Sequence, residues 1–98
     1  MRDPATLGDM TDLRSEVDAT DRALGALLAH RARLISRAAE LKDGNGWPAR
    51  IDARVEEVIA NARRNAEAGG WDPDLAETLW RELVEWSIRR EQAALGRE

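Results

Sequence analysis

Residues 13–42 read LRSEVDATDRALGALLAHRARLISRAAELK. Leu13, Val17, Leu24, Leu27, Leu28, Leu34, Ile35, Ala38 and Leu41 recur through this stretch at helical spacings of three, four and seven, with charged and polar residues among them. Apolar residues at that period describe one long amphipathic helix. Asp9 or Thr11 can cap its start, and Asp43-Gly44-Asn45-Gly46-Trp47-Pro48 breaks it. A helix over residues 11–42, rising 1.5 Å per residue, is roughly 48 Å long. A compact globule of this size has a diameter of only roughly 33 Å, from a radius of gyration near 13 Å. Such a helix protrudes from its own fold, and its apolar stripe needs a cover. The economical cover is the same helix of a second copy, packed antiparallel about a two-fold axis.

The rest of the chain supplies two shorter helices. One begins near Arg50 and carries Ile51, Val55, Val58, Ile59, Ala62 and Ala66 until Gly69-Gly70 ends it. Asp72-Pro73 then reads as an N-cap followed by proline in the first turn, opening a helix with Leu75, Leu79, Leu83, Val84 and Ile88 on its apolar side. No strand pattern competes. The expected fold is all-α: three helices per chain with a long first helix, in an intertwined six-helix homodimer. Residues 1–10 read as a flexible N-terminus and residues 11–95 as the helical domain.

The 98 residues, 43% hydrophobic and 35% charged, are the balance of one helix-rich globular domain. Four tryptophans supply all the aromatic bulk, so a core of Leu, Val, Ile and Ala is thin for a monomer of this size. The net charge of -4 argues against a general nucleic-acid binder, which needs a surplus of cations to displace phosphate counterions. Zero cysteines and the single His30 leave no thiolate chemistry, no histidine metal cluster and no conventional triad. No apolar run suggests a signal peptide or a membrane span, which makes the cytoplasm the default location.

Chemistry must then come from Arg, Lys, Ser and carboxylates. Lys42 is the only lysine in an otherwise arginine-only set of permanent cations. Arg31, Ile35, Ala38 and Lys42 follow i, i+4, i+7, i+11 and share a helix face, so Arg31 and Lys42 can reach toward one small anion. Arg14 lies about 25 Å further along the same helix and roughly 100° around it. A straight helix cannot bring it to that anion, but an antiparallel dimer lets Arg14 of one copy approach Arg31 of the other. Taken singly, each arginine reads as a solvated surface charge.

Several short segments then resemble a known family: Leu13-Arg14-Ser15-Glu16-Val17-Asp18, Leu27-Leu28-Ala29-His30-Arg31, Lys42 ahead of a Gly/Pro loop, Arg54, Gly70-Trp71-Asp72-Pro73, and Glu85-Trp86-Ser87-Ile88-Arg89-Arg90-Glu91-Gln92. Over about residues 11–95 the chain resembles the all-helical chorismate mutases, a group that includes the related isochorismate pyruvate lyases. The resemblance implies a dimer of three-helix chains and the rearrangement of chorismate to prephenate without cofactor or metal. That intramolecular shift requires only a cage that selects the folded conformer and stabilises charge on the ether oxygen. By the same resemblance, Arg14 from the partner copy and Arg31 clamp substrate carboxylates. Lys42 donates to the ether oxygen and to a carboxylate, and Arg54 orders the cations. Ser87 touches a carboxylate and Glu91 faces the ether oxygen. The set is catalytic Lys42, Glu91 and Arg31, with Arg14, Arg54 and Ser87 binding substrate.

Two positions depart from the family pattern. Val55 stands where mutases have a Glu that accepts from the substrate hydroxyl, and Glu91 stands where many have Gln. A carboxyl donates toward an ether oxygen only when protonated; burial favours that form and a neighbouring cation opposes it. Val55 also brings in two alternatives, an isochorismate pyruvate lyase and a mutase acting on 4-amino-4-deoxychorismate. A third alternative is a non-catalytic helical dimer that regulates another enzyme. His30 reads as a surface or interface residue, and Trp80 and Trp86 read as core, with an apolar pocket wall as the alternative for Trp86. Trp47 reads equally as an exposed lid or as packing over the site.

Overall fold

The computed structural model describes residues 1–97. Its three α-helices are α1 (Met10–Asn45), α2 (Asp52–Gly69) and α3 (Pro73–Leu95), and a 3-10 turn at Pro4–Thr6 precedes them. Among the described residues there is no strand.

Each helix boundary has a local cause. Asp9 Oδ1 accepts from the Asp12 amide at 2.8 Å, which satisfies one of the free N–H groups that open α1. The first helix continues through Asp43 and Gly44 and ends at Asn45, within the expected break. Those two residues retain helical N–H groups, and termination waits for Gly46, whose φ of 77° turns the chain and directs its N–H to Lys42 O at 2.9 Å. The second helix opens after Ile51 without a side-chain cap. It closes at Gly70, with φ 75°, where Trp71 N donates to Ala66 O at 2.9 Å. Asp72 then caps α3 by accepting from Asp74 N at 2.8 Å, and Pro73 occupies the first turn, where its missing N–H costs nothing.

The chain divides into two compact units, residues 1–33 and the part from Leu34 onward. In the first, Asp3 caps the 3-10 turn and the Arg2 amide donates to Glu16 Oε1 at 3.3 Å. None of its residues is buried. The second unit holds the core. Ala66 and Ala76, both 0% exposed, form one cluster with Ala62. Small side chains there let α2 and α3 approach closely. Ile59, Val84, Ile88 and Ala49 form a second cluster, against which Val55 and Val58 pack, and Trp80 touches both clusters.

Ion pairs line the outside of this hairpin. Arg63 reaches Asp74 at 3.0 Å and Glu77 at 3.1 Å, while Arg81 reaches Glu77 at 2.8 Å. Hydrogen bonds from Arg81, then from Arg63, hold the Glu77 carboxyl below the ordinary carboxylate range.

Candidate functional site

Lys42 occupies the last turn of α1, where the negative end of the helix dipole favours a cation. Its Nζ donates to Ala49 O at 2.8 Å and lies 2.8 Å from Glu91 Oε1. The Lys42 and Glu91 side chains are only 17% and 6% exposed. Withdrawing two charges from water to this degree costs several kcal/mol per ion, so each must find compensation inside the fold. Ala49 provides part of it. Its own side chain is buried in the cluster with Ile59, Val84 and Ile88, which anchors the carbonyl that receives the ammonium.

Glu91 lies on the buried face of α3 with Val84, Ser87 and Ile88. Its Oε1 is close enough to Lys42 for a strong ion pair, yet it receives no hydrogen bond of directed geometry. A buried carboxylate oxygen in that condition is under-satisfied and can accept a further donor. One turn earlier, the Ser87 hydroxyl donates to Leu83 O at 2.7 Å. Lys42, Ser87 and Glu91 therefore bring a cation, a hydroxyl and a carboxyl into the buried interior of the second unit.

The other residues expected from sequence are placed differently. Arg54 is exposed on α2 and pairs with Glu57, one turn along its own helix, and makes no contact with Lys42 or Glu91. Val55 packs against the apolar cluster. Arg14 is exposed and Arg31 half-buried, both within the first unit. Trp80 is half-buried and packs against both core clusters, whereas Trp86 lies outside the core and lines a cavity with Ser36, Ala39 and Arg89, as its alternative reading had it. It is 42% exposed, with the Arg90 guanidinium 5.4 Å from its ring centroid and Arg90 Nε donating to Ser36 Oγ at 3.1 Å. Trp47 is exposed.

Three features of the neighbourhood were missed by sequence reasoning. The Ala49 carbonyl is one, because a main-chain acceptor carries no residue signature. Another is Arg50, which meets Glu85 of α3 through two parallel bonds of 3.0 and 2.6 Å. These bonds hold the Glu85 carboxyl below its ordinary range and push the Arg50 guanidinium above its own. The last is Arg97, which binds two carbonyls of the 42–47 segment. Among the described residues, no His, Asp and Glu side chains cluster in a way that could hold a metal, and no helix is long and apolar enough to cross a membrane.

Comparison with known proteins covers most of the chain. The family model for chorismate mutase type II matches residues 13–92. A T-protein of Enterobacter agglomerans is 35% identical over 85 residues, which is 87% of this chain and 23% of the relative. A T-protein of Haemophilus influenzae is 34% identical over 82 residues, 84% of this chain and 22% of that protein. The chain thus spans less than a quarter of the length of these relatives. No solved structure matches it significantly.

Proposed function

The chain belongs to the chorismate mutase type II family, and from that premise we propose that it rearranges chorismate to prephenate at Lys42, Ser87 and Glu91. The observation that carries the reading is the buried Lys42–Glu91 pair with its under-satisfied carboxylate oxygen. A pericyclic shift transfers no group to the protein. It needs donors aimed at the ether oxygen as that bond breaks and charge gathers there. Lys42 is the donor in this scheme, as a compact charge already oriented by Ala49 O. The substrate is a dianion, and a carboxylate arriving at Lys42 competes with Glu91 for the ammonium. A proton on Glu91 removes the repulsion and turns it into a second donor toward the ether oxygen. Ser87 contributes once its hydroxyl turns from Leu83 O toward a substrate carboxylate.

The remaining cage is arginine. Arg31 and Arg14 present paired donors that match carboxylates, and Arg54 joins when it leaves Glu57. Arg14 acts from a second copy. Support for that dimer comes from residues 1–33, where no side chain is buried and Leu24, Leu27 and Leu28 stand exposed. A helix with no core of its own is stabilised when a second helix covers its stripe.

Val55 favours keeping a second reading, since an apolar side chain gives the substrate hydroxyl no acceptor. The test is to offer purified protein chorismate, isochorismate and 4-amino-4-deoxychorismate and to identify the products. Prephenate from chorismate, abolished in Lys42→Ala, supports the mutase. Pyruvate and salicylate from isochorismate would replace it with the lyase, and full turnover in Lys42→Ala would discredit the site.

A further inference from the structure

We propose that Arg97 is a positioning residue for Lys42, a role that rests on the reaction proposed above. The α3 helix ends at Leu95, and Gly96, with φ 68°, turns the chain out of it while the Gly96 and Arg97 amides both donate to Gln92 O. This turn delivers the Arg97 guanidinium to the loop between α1 and α2. There, one nitrogen, Nη2, donates to Lys42 O at 3.1 Å and to Trp47 O at 2.9 Å, and Nη1 lies 3.8 Å from Asp43 Oδ1.

The two carbonyls bracket the bend that begins at Gly46. Arg97 therefore holds the main chain of Lys42 against the segment that runs on to Ala49, whose carbonyl in turn holds the Lys42 ammonium. Lys42 is held at both ends, its backbone by the last turn of α1, which Gly46 N closes on Lys42 O, together with Arg97, and its side chain by Ala49 and Glu91. The loop is tied to α3 a second time by the Arg50–Glu85 fork. Gly46, with its positive φ, makes this bend permissive, so without Arg97 it has more conformations close in energy. The guanidinium selects the one that aims the ammonium.

Removing the clasp leaves the charge and chemistry of Lys42 unchanged but lets it wander. Because the bond from Lys42 to the ether oxygen strengthens in the transition state, misplacement should appear in kcat before KM. Arg97→Ala should lower kcat about tenfold with KM within about twofold of wild type, and Arg97→Lys, which can still bond one carbonyl, should recover part of the loss. Lys42 is the only lysine, so isotopically labelled lysine gives a single side-chain NMR signal that reports its placement without any substrate. Recorded well below the unfolding midpoint, that signal should move toward the free-lysine position in Arg97→Ala. A lysine signal identical to wild type in Arg97→Ala, or an unchanged kcat in an active enzyme, overturns the proposal. Should the wild type convert none of the offered substrates, the mutase reading fails, while the lysine signal still decides the role of Arg97.

Discussion

Glu91 is the residue on which the proposed chemistry depends most. Its Oε1 is buried, 2.8 Å from an ammonium, and without a directed hydrogen bond. If its protonated form donates to the ether oxygen, turnover of chorismate should fall as pH rises between about 5 and 9, the range above an ordinary glutamate. Glu91→Gln, a permanent donor of the same shape, should keep activity and lose the slope. A flat wild-type profile would sink that role. At the same scale, Ala76 shows how little room the hairpin allows: it is 0% exposed, facing Ala62 and Ala66. Ala76→Leu should cost about 1–3 kcal/mol by overpacking, read from the urea midpoint, whereas Ala68→Leu on the exposed face should stay within about 0.5 kcal/mol.

At the scale of the element, α2 and α3 are joined by two kinds of force with different pH behaviour. The alanine interface does not titrate, whereas the ion pairs of Glu77 and Glu85 do. Arg81 and Arg63 lower the Glu77 carboxyl, and Arg50 lowers that of Glu85. A carboxyl lowered in the folded state takes up its proton first in the unfolded chain, so the contribution is fully present above the unfolded value near about 4.3. It is lost as pH falls from there through the lower folded values. Thermal midpoints should drop on acidification across that window, and the Glu77→Gln/Glu85→Gln double variant should show a shallower drop. An equal drop in both proteins would assign the acid sensitivity to other carboxylates.

For the whole molecule, the proposed site draws on residues of both compact units, and its test is a mixing experiment. Arg14 and Arg31 lie in the first unit, Lys42, Ser87 and Glu91 in the second. A dimer in which Arg14 crosses to the other copy makes a specific complementation prediction. Arg14→Ala and Lys42→Ala are each expected to be inactive alone. Refolded together in equal amounts, they should regain about a quarter of wild-type activity, because half the dimers are mixed and each mixed dimer has one intact site. No recovery on mixing would mean that Arg14 and Lys42 act within one chain.

The helices were legible because their determinants are local. Asp9, Asp72-Pro73 and Gly70 act through bonds to residues a few positions away, so caps, proline and glycine announce the boundaries in the one-dimensional string. The end of α1 likewise falls inside the expected 43–48 break, at Asn45, because Gly46 adopts positive φ. The lone lysine and its spacing from Arg31 likewise marked Lys42 as worth attention before any fold was known. Only part of what surrounds Lys42 was legible, since the family resemblance named Glu91, 49 positions away, with it, whereas the Ala49 carbonyl and the Arg97 guanidinium just past the end of α3 carried no signature. Those contacts exist only because the alanine interface lets α2 and α3 close up and the Gly96 turn sends Arg97 back to the loop. Sequence alone determined the helices and the cation to watch, through short-range hydrogen bonding and periodicity. The tertiary structure decided which groups hold that cation, because burial and long-range pairing depend on how the helices pack.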